Sequence, residues 1–218
     1  MKGTYDPDSY WDDRGGDSYQ TYVESADYAV YRREQDRFFT DLIARLCPER
    51  LLDFACGTGK LFPIWKPVAE VHGYDRALSQ VRVARREVAR VRPENPYHIL
   101  HYSTGSRTEL PYDDDYFDLV VAAEVLLHVL PADIDAMVAE LHRVCRGHLA
   151  VVTAAPFDNP APHCFNHDYP LHLKGLFEIT DDHAVHRQRY IVGRRLPAAA
   201  APPIAAASQE QTDALVTT

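Results

Sequence analysis

The chain is predicted to fold as one α/β domain around a doubly wound, mainly parallel seven-stranded sheet, with an antiparallel last strand and helices on both faces. Three observations predict this. Short apolar runs alternate with amphipathic helical stretches from residue 28 to residue 153, the order of a parallel sheet with helical crossovers. A small-residue turn, Cys56-Gly57-Thr58-Gly59, follows the first apolar run, where an open α/β sheet holds its ligand. After Pro156 the alternation stops, and two consecutive extended stretches read as an antiparallel pair closing the sheet.

Residues 1–27 are rich in Tyr, Asp and Gly, with too little periodicity to fix a helix. From residue 28 to 46, Tyr31, Phe38, Phe39, Leu42, Ile43 and Leu46 fall largely on one helical face, and Pro48 stops the helix. Strands follow at 51–55 and 71–74, then an amphipathic helix at 78–91 that ends before Pro93. Further strands are expected at 97–102, 117–122 and 149–153. The helix between the last two, 132–145, turns Ile134, Met137, Val138, Leu141 and Val144 inward. Beyond a Pro- and His-rich loop, 171–176 reads as a short helix, and "FEITDD" and "HRQRYIVGRR" as the closing pair. Residues 28–195 thus form the domain, and 196–218, biased to Ala and Pro, read as a mobile tail.

Composition narrows the function. A formal charge of -9 over 218 residues gives no broad attraction to nucleic acid. The start carries no apolar core of a secretory signal, and no apolar run approaches bilayer length. Cys47, Cys56, Cys145 and Cys164 are scattered without a Cys-x-x-Cys pair, as expected of reduced thiols in a cytoplasmic protein.

Three ligands compete for the turn in "LLDFACGTGK". A phosphate-binding P-loop needs a glycine where Phe54 stands and a hydroxyl where Leu61 follows Lys60, so it is excluded. A dinucleotide site needs a third glycine, but Phe62 occupies that place and Pro63 disturbs the helix required beneath a pyrophosphate. The third option takes in more of the chain. The stretch resembles the first motif of class I S-adenosylmethionine-dependent methyltransferases, and later stretches match in order. These are "VHGYD", "TGSRTELPYDDDYFDLVVAAEVLLHVLP" and "LHRVCRGHLAVVTAAP".

The resemblance covers roughly residues 10–195 and implies a Rossmann-like fold with S-adenosyl-L-methionine as cofactor. It implies that Asp53 helps hold the cofactor's amino group while Ala55, Gly57 and Gly59 line its amino-acid end. Asp75 would accept the ribose hydroxyls, Arg76 would pack on the adenine, and Glu124 would stand beside the cofactor. Ser106 takes the place of an aspartate that usually accepts the adenine amino group, so that bond loses its charge assistance. Arg146-Gly147 replaces the usual Pro-Gly-Gly, in what is expected to be a surface turn before the fifth strand.

Methyl transfer from a sulfonium asks the protein to align the acceptor, exclude water and remove a proton where needed. His128 is a candidate general base. The loop "APHCFNHDYP" after the fifth strand adds His163 and His167 as catalytic candidates and Tyr169 as an acceptor contact. His163 and His167 lie four apart beside Cys164 and Asp168, but the surrounding prolines suggest an irregular loop, and no metal site is expected. "YWDDRGGDSYQTY" resembles a lid segment of small-molecule members, with Tyr10, Trp11, Arg14 and Tyr19 closing on cofactor or acceptor about a Gly15-Gly16 hinge. The expected partner is a small-molecule acceptor, in sugar or specialised metabolism, methylated at oxygen, nitrogen or carbon. The alternative keeps fold and cofactor without methyl transfer, as a cyclase or a non-catalytic partner subunit.

Overall fold

The computed structural model describes residues 5–26, 28–91, 97–101, 108–156, 158 and 161–197. The seven strands are β1 (Arg50–Phe54), β2 (Glu70–Asp75), β3 (Tyr97–His101), β4 (Phe117–Ala123), β5 (Cys145–Ala154), β6 (Phe177–Val185) and β7 (Gln188–Arg195). They form one sheet in the order β3-β2-β1-β4-β5-β7-β6. β7 is antiparallel to both β5 and β6, and the ladders from β3 across to β5 are parallel. Strand order reverses between β1 and β4, which places a crevice at their carboxyl ends.

Period-two alternation distributes the core. Leu52, Val120, Ala122, Leu149 and Val151 face one side, where α5 (Ile134–Val144) and α6 (Tyr169–Leu173) cover them with Met137, Leu141 and Leu173. Leu51, Leu119, Val121, Ala150 and Val152 face the other, under Phe39, Leu42 and Ile43 of α3 (Ala29–Leu46) and Ala84 of α4 (Leu78–Val91). No helix of the crossover type follows β1. Residues 57–67 run in turns instead, sinking Leu61, Phe62 and Trp65 into the second core. Gly59, at φ 82°, lies against the Phe62 ring, where an added Cβ would sit 2.3 Å from a ring carbon.

Several matching motif residues turn out to be fasteners. Asp118 accepts from the Glu49 and Arg50 amides and from Arg146 Nε at 2.6 Å, tying β1, β4 and β5 together at their amino ends. Arg143 donates to the Leu110 and Tyr112 carbonyls and pairs with Glu140 and Asp114, fixing the loop before β4.

Two expectations need correction. Arg146-Gly147 is part of β5, beside a register shift opposite Phe117 to Leu119, and Gly147 is required there because a Cβ would meet the Asp118 carbonyl at 2.3 Å. The N-terminal segment contains helices α1 (Tyr10–Arg14) and α2 (Gly16–Val23). Both are too short to hold themselves in water and rest on α4, where Gly16 approaches so closely that a Cβ would meet the Ser79 carbonyl at 2.2 Å. The expected tail begins in described residues 196 and 197, and 198–218 lie outside them. No described helix is long and apolar enough to cross a membrane.

Candidate active site

The crevice at the ends of β1, β2 and β4 opens into a cavity of about 1120 Å³. Ala55 and Glu124, the residues just past β1 and β4, both have left-handed backbones, at φ 54° and 57°. Such conformations are costly for residues with a Cβ and cluster at functional sites. The Gly57 turn is held from two sides. The Cys56 amide donates to the Tyr74 carbonyl at 3.0 Å, and the Gly57 amide donates to Asp75 Oδ2 at 2.9 Å. Asp75 Oδ1 accepts from the Ala77 amide at 2.8 Å. An ionised carboxylate has about four acceptor sites, and Asp75 lines the cavity.

Gln80 supplies a further polar group. It is 2% exposed, lines the cavity, and among the described residues neither of its amide atoms has a hydrogen-bond partner. Unsatisfied buried amides are uncommon and costly, so this pair suits a polar ligand.

The N-terminal segment roofs the cavity with Tyr5, Asp8, Trp11 and Tyr19. On the α4 side, Asp8 pairs with Arg76 at 2.8 Å and Asp12 accepts from the Ser79 amide at 2.7 Å. On the other side, the Tyr5 hydroxyl donates to the His128 carbonyl at 3.0 Å and Tyr10 stacks on His163 at 4.7 Å.

A buried charged cluster closes the floor. The Lys60 ammonium, its side chain 7% exposed, donates to Glu124 Oε2 at 2.9 Å and to the Tyr28 hydroxyl at 2.6 Å. Tyr28 and the Gln188 amide also donate to Glu124. Burial alone would raise the Glu124 carboxyl, but the Lys60 charge and these hydrogen bonds outweigh it and hold Glu124 below its ordinary value. Burial would lower Lys60, but Glu124 prevails and raises it.

Asp53 lies deeper, 2% exposed, and accepts from the Trp65 indole N–H at 2.9 Å. Burial drives its carboxyl up to about 7, against the partial relief of Trp65 and Lys60. A carboxyl raised on folding stabilises most below its unfolded value of about 3.9, and the contribution is lost as pH rises through the folded value. Between about pH 5 and about pH 7 the loss is about 2 kcal/mol. Asp53→Asn cannot titrate, so its unfolding free energy should gain on that of the native protein by this amount over that interval. Parallel urea melts at the two pH values measure it, and a constant difference would contradict the burial argument.

A second cavity, of about 1480 Å³, adjoins the first and shares Trp11, Tyr19, Glu124 and His128 with it. Its other walls include Arg14, Tyr22, Tyr28, Tyr31, Leu127, Pro156, His163 and Arg187. Between the cavities, His128 Nδ1 donates to the His163 carbonyl at 2.6 Å, which leaves Nε2 as the unprotonated nitrogen of the neutral ring. Burial, with the His163 charge and then that of Arg14 adding to it, pushes His128 down to about 4. Burial and Arg14 also lower His163.

The structure gathers most of the sequence-derived candidates here. Ala55, Gly57, Asp75 and Arg76 line the first cavity, Arg14 and His163 the second, and Trp11, Tyr19, Glu124 and His128 both. Asp53 and Gly59 lie behind the turn, and Tyr10 reaches the site through its stack on His163. His167 is turned aside, its Nε2 on the Val129 carbonyl at 3.0 Å, and Tyr169 is buried with its hydroxyl on Thr153. Ser106 lies outside the described residues. Ligand-capable atoms of His128, His163 and Cys164 come within 4.8 Å of one another, a grouping different from the His163 and His167 spacing in the sequence. Sequence reasoning missed Lys60 and Gln80. For Gln80 the only signal is its place among the apolar residues of the inward face of α4.

The family described as "Methyltransferase domain" matches residues 52–151. The chain is 32% identical over 170 residues to an O-methyltransferase of Penicillium expansum, covering 74% of this chain and 55% of that protein. It is 33% identical over 121 residues to the demethylmenaquinone methyltransferase of Thermus thermophilus, covering 53% and 52%. The chain spans about half the length of these curated relatives. In fold, it resembles magnesium protoporphyrin IX methyltransferase of Synechocystis, solved with bound S-adenosylhomocysteine, at a TM-score of 0.70 and 19% identity over 86% of this chain and 97% of that one.

Proposed function

The chain belongs to the class I S-adenosylmethionine-dependent methyltransferase family, and from that membership we propose that it transfers a methyl group from S-adenosylmethionine to a small-molecule acceptor. The observation that carries this reading is the cavity at the β1/β4 switch point, where the Gly57 turn, Asp75 and the unpartnered Gln80 amide converge. That set suits a nucleoside with hydroxyl and amino groups. The lysine of this lining, Lys60, is paired with Glu124, which disfavours a triphosphate there.

Asp75 and Gln80 would hold the nucleoside's polar atoms, with Arg76 at the adenine, and the Gly57 turn would admit the amino-acid end close to backbone. The Lys60–Glu124 pair at the cavity floor would adjoin that end. When bound, the cofactor supplies an activated methyl on a sulfonium. The protein's work is then placement. Residues 5–23 act as a lid that excludes water, latched by the Asp8–Arg76 pair and by Tyr5 on the His128 carbonyl. His128 fixes the wall between the cavities, its tautomer set by the His163 carbonyl.

The test is incubation with methyl-labelled S-adenosylmethionine and a panel of small hydroxylated, amino and carboxylic acceptors. S-adenosylhomocysteine formed together with a labelled product supports the proposal. Cofactor binding without turnover across the panel would instead favour use of the same pocket without methyl transfer.

A further inference from the structure

The second cavity is lined by arginine charge that no described acid pairs with. Arg14 sits over three rings, Trp11, Tyr19 and Tyr22, at 5.6, 5.7 and 5.5 Å from their centroids. Among the described residues its guanidinium forms no ion pair, and neither does that of the exposed Arg187 in the same lining. The acids in the same lining do not compensate them. Glu124 is committed to Lys60, Tyr28 and Gln188, and Asp158 stands exposed at the rim. A cation held against aromatic faces keeps its N–H edge available for an oxygen anion.

The cavity is equally short of a base. Burial holds His128 and His163 neutral, with Arg14 adding a smaller push on each, and at about 4 His128 is a poor base toward an alcohol. The Tyr19, Tyr22 and Tyr28 phenols are raised by burial, so none supplies a phenolate. An acceptor that must lose a proton during transfer is poorly served here. One that arrives ionised is well served.

Resting on the methyl-transfer reading, we infer that the acceptor is a flat conjugated anion, a carboxylate or an acidic enol, whose charge is met by Arg14 and whose body lies against Trp11, Tyr19 and Tyr22. The step then balances without a base. The anionic oxygen supplies the electron pair of the new C–O bond, the C–S pair stays on sulfur, and the two charges cancel with no proton to remove.

The test is a calorimetric titration of the full chain, with and without S-adenosylhomocysteine, using two matched pairs of probes. Naphthoate against naphthamide tests the carboxylate, and hydroxycoumarin against coumarin tests the acidic enol. At least one anion should bind about tenfold or more tightly than its neutral partner, as a charge-assisted contact requires. Arg14→Gln should erase that ratio while leaving S-adenosylhomocysteine affinity unchanged, and Arg14→Lys should restore part of it. Equal binding of anion and neutral partner would overturn the inference, as would a preference indifferent to Arg14→Gln. Loss of S-adenosylhomocysteine binding in Arg14→Gln would also overturn it, by assigning the guanidinium to the cofactor. If the native protein fails to bind S-adenosylhomocysteine yet still discriminates the probes through Arg14, the cofactor reading fails and the anion site stands.

Discussion

Replacing Lys60 by methionine is expected to cost about 3–5 kcal/mol of folding stability, because it strands a buried carboxylate. Glu124 would keep its hydrogen bonds from Tyr28 and Gln188 but lose its only buried cation among the described residues. Its pKa would then rise, as burial, now unopposed by the ammonium, favours the neutral acid. The cost should therefore shrink at low pH, where a protonated Glu124 needs no counter-charge. Urea melts of Lys60→Met across the acid range measure both effects. Lys60→Met combined with Glu124→Gln should recover much of the loss, since removing both charges leaves none unpaired. A single variant within about 1 kcal/mol of the native protein would mean that the pair is solvated and contributes like a surface bridge.

Asp75→Ala is expected to weaken S-adenosylhomocysteine binding by about 100-fold or more. Two charge-assisted hydrogen bonds to hydroxyls contribute about 1.5–3 kcal/mol each, and the same substitution releases the Gly57 and Ala77 amides that Asp75 now holds. Asp75→Asn keeps one acceptor oxygen and should lose less. Calorimetry on both variants, with circular dichroism to show that β2 and its neighbours persist, separates lost contact from lost fold. Unchanged affinity in Asp75→Ala would mean that the carboxylate serves only the turn.

Much of this architecture was legible in the sequence, for physical reasons that can be traced. The helix at 78–91 was bounded correctly because its apolar positions repeat at helical spacing and Pro93 lies just beyond. The buried strands were found because both faces of the sheet are covered, which leaves continuous apolar runs such as the one in β4. α1 and α2 were not legible, because their stability comes from docking on α4 through Gly16 and the Asp12 cap of Ser79, contacts between residues far apart in the chain. The Lys60–Glu124 pair was hidden for the same reason, its members lying 64 residues apart. In the sequence Lys60 stands only where a P-loop lysine would, in a motif that Phe54 and Leu61 exclude. Of the catalytic candidates, the two histidines that share a cavity wall, His128 and His163, come from different loops. His167, four residues from His163, turns away because the Val129 carbonyl captures its ring.

The central claim, that the crevice between the Gly57 turn and Asp75 holds S-adenosylmethionine, is tested most directly by calorimetric titration of the native chain with S-adenosylhomocysteine, ATP and NAD in turn. One site per chain is expected for S-adenosylhomocysteine, with no measurable heat from the other two. Silence with S-adenosylhomocysteine at millimolar concentration, or saturable binding of ATP or NAD in its place, would contradict it.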